Sequence, residues 1–119
     1  MVKKVAEIVE TISLKLTKLA KVWGIESSFS MLQYSNGSAP SVTITLDDAI
    51  FEKLKWYRNW MKNQRNDLAF WALAKESNII ISFFRGKITI HGGTLDNQLI
   101  IIRDFLAEIE TQPEDIWGL

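Results

Sequence analysis

The sequence predicts a single α+β domain: a four-stranded, mainly antiparallel sheet packed with helices, in the order α-β-β-α-β-β-α. Three observations carry this expectation. A chain of 119 residues, 47% apolar and 24% charged, has the size and composition of one globular core. Two pairs of strand-like segments, at 27–46 and 78–91, each enclose a turn. Apolar residues recur at helical spacing before, between and after those pairs.

Residues 2–23 are predicted helical. Val2, Val5, Val9, Ile12, Leu16, Leu19 and Trp23 step alternately by three and four, a two-in-seven seam. Such a seam suits the core-facing stripe of a helix on a sheet, or half of a coiled coil with another subunit. Ile8 and Val22 widen it, which suits a sheet. Gly24 is placed to end the helix. Ser27–Tyr34 reads as a strand, with Phe29, Met31 and Gln33 on one face and Ser28, Ser30, Leu32 and Tyr34 on the other. Ser35–Pro40 is a turn in which Asn36-Gly37 is expected to supply positive φ angles. In Ser41–Leu46 the apolar Val42, Ile44 and Leu46 alternate with a hydroxyl row, Ser41, Thr43 and Thr45.

Asp47–Glu76 is the central segment, one helix or a helix pair. Thr45 is its expected N-cap, with Asp48 as return partner. At about 100° per residue, Ile50, Leu54, Tyr57 and Met61 share the core sector. Trp56 and Trp60 fall on one flank, and Lys55, Arg58, Lys62 and Arg65 on the other. Asn63–Asn66 lacks apolar residues and is a candidate break. Leu68–Ala74 is apolar all round and is expected to be buried on more than one side. Asn78–His91 then reads as a hairpin about Arg85-Gly86. That register sets Phe84 against Lys87, Ser82 against Thr89 and Ile80 against His91 on a mixed face. Phe83–Ile88 and Ile81–Ile90 form the core face. After Gly92-Gly93, Thr94 is the expected cap of a last helix whose stripe is Leu95, Leu99, Ile102, Leu106 and Ile109, with Pro113 ending it. The tail that follows, Glu114–Leu119, is acidic and apolar, and suits docking in a groove of this chain or of a neighbouring subunit.

The chemistry of the chain points to binding. It has no cysteine and one histidine, so disulfides, thiol nucleophiles and His/Cys metal sites are excluded. His91, alone beside Gly92-Gly93, reads as a surface or capping residue. Gly92-Gly93-Thr94 lacks the lysine and spacing of a P-loop. No catalytic site, cofactor or metal is expected. No apolar run approaches a membrane span and no signal peptide is evident, so the cytoplasm is the expected location. Net charge is zero, yet residues 53–87 hold eight basic side chains against two acidic ones, and 94–119 one against six. The basic half suits an anionic partner. Single strands need cations for phosphates and flat side chains for bases. Lys55, Arg58, Lys62, Arg65, Arg85 and Lys87 supply the first. Phe84, with Trp56, Trp60 or Tyr34, supplies the second. That sheet face is usable only if helices leave it open.

The layout of helix, hairpin, long helix with Trp56-Tyr57-Arg58-Asn59-Trp60, hairpin Ile79–Ile90 and final helix resembles the single-stranded DNA-binding proteins of Thermoproteales and their crenarchaeal relatives. The resemblance covers most of the chain. It implies an antiparallel sheet packed with helices, an apolar cleft edged by basic residues, and homo-oligomers. The long C-terminal zipper of the founding members has no counterpart after Ile109, so a different assembly is expected. The function expected is sequence-tolerant binding of single-stranded nucleic acid, DNA in the first place. The alternative is a homo-oligomeric interaction module, without nucleic acid, built on the 2–23 and 95–109 seams and Trp117.

Overall fold

The computed structural model describes residues 2–26 and 30–112. The elements are α1 (Val2–Val22), β1 (Ser30–Ser35), β2 (Ser41–Leu46), α2 (Asp48–Gln64), α3 (Ala69–Glu76), β3 (Ile80–Phe84), β4 (Lys87–His91) and α4 (Leu95–Glu110). The four strands form one antiparallel sheet in the order β1-β2-β4-β3. The central segment is a helix pair, because Asn63–Asn66 offers the core nothing to hold a helix straight through it. Arg65 closes α2, its N–H bonded to the Met61 carbonyl at 2.7 Å.

α1 ends as glycine dictates. Gly24 sits at φ +71°, its N–H bonds the Lys21 carbonyl, and the Ile25 N–H reaches back to Ala20 at 2.8 Å. This is the Schellman pattern. The buried stripe of α1 is Ile8, Ile12, Leu16, Leu19 and Ala20. Val5, Val9 and Trp23 are half-buried against it, and Val22, expected to widen the stripe, is exposed. The stripe thus belongs to the core of one chain, with its centre one step off the strict seam.

Three further expectations are corrected, in α2, the first hairpin and α3. Thr45 is a strand residue, and Asp47 takes the N-cap position of α2, because β2 runs on to Leu46. The loop lies where expected, between Ser35 and Ser41, but neither Asn36 nor Gly37 has the expected positive φ. In α3 only Phe70 and Ala74 are buried; the small side chains of Ala69 and Ala72 face solvent, so the helix is covered on one side. α4 ends at Glu110 with Thr111 as its cap, ahead of Pro113, which lies outside the described residues. Phe29, Ser28 and the tail Glu114–Leu119 with Trp117 also lie outside them.

The second hairpin has the expected register throughout, Phe84 opposite Lys87 and Ile80 opposite His91. Arg85 and Gly86 sit at φ +49° and +76°, as a two-residue hairpin turn requires. Thr94 caps α4, its hydroxyl accepting from the Asn97 N–H at 3.2 Å. The core lies between one sheet face and the helices. Val42, Ile44, Leu46, Phe83, Ile88 and Ile90 meet Leu54, Tyr57, Met61, Leu99, Ile102 and Phe105 there. Among the described residues one polar side chain is sealed inside, Gln98, whose amide nitrogen donates to the carbonyls of Pro40 at 2.9 Å and Gly92 at 2.7 Å. It ties α4 to two loops at once. No described helix is long and apolar enough to cross a membrane.

Candidate nucleic-acid interface

Strand alternation sends Met31, Gln33, Ser35, Ser41, Thr43, Thr45, Ile80, Ser82, Phe84, Lys87, Thr89 and His91 to the face opposite the core. None of these side chains is buried, so the helices pack on one face and leave the other open. Across it runs a hydroxyl row in register, Thr43 beside Thr89 beside Ser82. Apolar groups frame that row: Phe84 is 67% exposed, Ile80 64% and Met31 41%. An exposed phenylalanine and isoleucine on one short strand gain nothing for the fold, and that apolar surface is available to a partner.

Phe84 is flanked by cations. The Arg85 guanidinium lies 5.1 Å from its ring centroid, and Lys87 is its cross-strand neighbour. Neither cation has an ion pair among the described residues. Tyr34 does not join this surface. It pairs with Val42, which puts it on the helix side of edge strand β1. His91 is exposed on the open face between Ser41 and Ile80.

The basic stripe of α2 is divided by its neighbours. Arg65 is neutralised by Asp67 and by Glu108 of α4, both at 3.6 Å. Arg58 lies over the Phe83 ring at 4.6 Å and bonds the Asn59 side chain at 2.8 Å. Its burial lowers the guanidinium pKa from its ordinary value, though arginine stays charged at physiological pH. Lys62 is exposed. Lys55 is half-buried one turn ahead of Arg58 and Asn59. Trp56 and Trp60 stack at 6.3 Å, with Trp56 edge-on to Tyr57 at 5.2 Å. Tyr57 in turn stacks on Trp23 at 5.8 Å. The two tryptophans are half-buried on the core.

Arg58 and Lys62 line a cleft of about 400 Å³ with Asn66, Trp71, Ala74, Lys75 and Ile79–Ile81. Ile79 leads into β3, and Ile80 and Ile81, its first two residues, can both line one cleft only from the strand's edge, because successive side chains point to opposite faces. β3 is an edge strand of the sheet, and the cleft opens along it. Ile80 belongs both to the cleft and to the open face, so the two surfaces are continuous. Lys75 and Trp71 come from α3 and were not among the sequence-derived site residues. The sequence signal for Lys75 was its place in the basic half of the chain; that for Trp71 was hidden inside an apolar run. The Trp71 indole N–H is buried with no acceptor among the described residues. Such a donor costs about 1–3 kcal/mol until something accepts from it.

Gly92 and Gly93 serve packing. A β-carbon on Gly92 would fall 2.2 Å from the Asn78 carbonyl oxygen, and its φ is +90°. No group of three or more potential metal-ligating side chains occurs among the described residues. Comparison with models of known protein families, with curated proteins and with solved structures found no match to this chain.

Proposed function

We propose that this chain binds single-stranded nucleic acid, DNA in the first place, with little dependence on sequence. The observation that carries the reading is the open sheet face, with Phe84 exposed between two cations that have no ion pair among the described residues. A base has a flat apolar face and a phosphate has a negative charge, and Phe84 with Arg85 and Lys87 offers a partner for each. The hydroxyl row of Thr43, Thr89 and Ser82 supplies donors and acceptors that tolerate any base. From Ile80 the strand continues into the cleft, where Arg58, Lys62 and Lys75 meet further phosphates. Lys55 lies upstream on the same helix face. Arg65 has its charge already met by two carboxylates and contributes least. Trp56 and Trp60 report on α2 packing and do not stack on the ligand.

The test is titration of the full chain with oligo-dT at two salt concentrations, followed by anisotropy of a labelled oligonucleotide. Binding that weakens as salt rises is the expected result. No detectable binding at low salt, or binding indifferent to salt, would overturn the proposal.

A further inference from the structure

We infer that the chain's own acidic tail, Pro113–Leu119, docks in the cleft between α2, α3 and β3 and competes there with the anionic ligand. The competition rests on the function proposed above; the docking does not. Charge complementarity is the first argument. Arg58, Lys62 and Lys75 line the cleft without an ion pair among the described residues. Its apolar walls are Trp71 and Ile79–Ile81. The tail carries the matching set in seven residues: Glu114 and Asp115 for the cations, Ile116, Trp117 and Leu119 for the apolar walls.

The second argument is reach. Gln112, the last described residue, touches the Glu108 carboxylate at 3.4 Å, and Glu108 pairs with Arg65 at 3.6 Å. Arg65 adjoins Asn66 of the cleft wall and lies one helical turn from Lys62. The tail therefore starts one ion pair, Glu108–Arg65, away from Asn66 on the rim of the cleft. Asp115 can extend about 10 Å from Gln112, and Trp117 about 17 Å, at ~3.3 Å per residue.

A nearer recess exists, lined by Gln112 itself with Leu19, Val22, Trp23, Tyr57 and Ile109, but it holds only about 90 Å³. The cation on its wall, Lys18, is already paired with Glu110 at 3.7 Å. Neither its size nor its charge suits an acidic segment with a tryptophan.

The absence of native cysteine allows a direct test in the full chain, without nucleic acid. A Lys62→Cys/Asp115→Cys variant is oxidised in a glutathione buffer and its intramolecular disulfide quantified by mass spectrometry. The control pair is Glu7→Cys/Asp115→Cys. Glu7 lies about 16 Å along α1 from Lys18, which contacts the end of α4. We expect the cleft pair to show an effective concentration roughly tenfold above the control. Lys75→Glu in the same background is expected to lower it by roughly threefold or more. Equal values for the two pairs, or no response to Lys75→Glu, would overturn the docking. Separately, Trp117→Ala in the otherwise native chain is expected to tighten oligo-dT binding several-fold. If the chain binds oligo-dT and Trp117→Ala leaves its affinity unchanged, the competition is refuted. If the chain does not bind oligo-dT, the function reading fails while the disulfide measurement still decides the docking.

Discussion

Phe84 and Gln98 mark two kinds of residue in this protein, one that the fold does not use and one on which it depends. Phe84 projects from the sheet into solvent, so Phe84→Ala is expected to change unfolding free energy by less than about 0.5 kcal/mol. Losing one stacking platform is worth about 1–3 kcal/mol per base, so the same variant is expected to weaken oligo-dT binding by roughly tenfold. Urea unfolding and anisotropy titration of one sample separate the two effects. Gln98 is the reverse case. Gln98→Leu keeps the volume but strips the Pro40 and Gly92 carbonyls of their shared donor. We expect a loss of about 1–3 kcal/mol by urea unfolding, with little change in the open face. Its place in the sequence, between Asn97 and Leu99 in an apolar stripe, gives no sign of this. A glutamine on a helix is ordinarily a surface residue, and only the arrival of two loop carbonyls at that point makes it structural.

At the scale of elements, the β3–β4 hairpin couples stability to binding through Arg85. A non-glycine residue at φ +49° is strained unless its side chain is short and polar. Arg85→Asn is expected to stabilise the hairpin by about 0.5–1 kcal/mol, read as a higher urea midpoint. It also removes a cation beside Phe84, so oligonucleotide affinity is expected to fall. A variant gaining both stability and affinity would contradict the role given to Arg85. The register of this hairpin was legible from the sequence, since a two-residue turn leaves one pairing and alternation then sets both faces. The first hairpin was legible in its strands and not in its turn, because a five-residue loop can close without left-handed residues. The two-in-seven seam of α1 was open between a core stripe and a coiled coil. Burial of Ile12, Leu16 and Leu19 inside one chain assigns it to the core. Leu16→Asp is therefore expected to act on folding itself: an unpaired charge in a fully packed position should cost 3 kcal/mol or more, seen as a large fall in the unfolding midpoint.

At the scale of the whole molecule, net charge zero conceals a division of surfaces. Acidic residues of α4 hold Lys15, Lys18 and Arg65 in ion pairs. Arg58, Lys62, Lys75, Arg85 and Lys87 have none among the described residues, and they lie along β3 and the cleft beside it. Single-strand binding releases about 0.7 counterion per phosphate neutralised. Lys62→Glu with Lys75→Glu is thus expected to flatten the slope of log affinity against log salt by about 1.4 or more. An unchanged slope would place the ligand elsewhere.

By itself the sequence determined the fold class, the core faces of α2 and α4, the strand pairs within each hairpin and the apolar-acidic character of the tail. These are local matters of period, turn chemistry and composition, each readable within a dozen or so residues. Three things were decided only by the tertiary structure. The order β1-β2-β4-β3 makes β3 an edge strand, and that depends on which hairpin arms meet, a contact between residues more than forty positions apart. All four helices pack on one face, because the apolar faces of both hairpins align when β2 joins β4, leaving Phe84 and Ile80 in the open. Finally, Lys75 and Trp71 of α3 are brought beside Arg58 and Lys62 of α2. The break at Asn63–Asn66 redirects the chain so that α3 forms the other wall of the cleft, and no periodicity along the chain records where a redirected helix comes to rest.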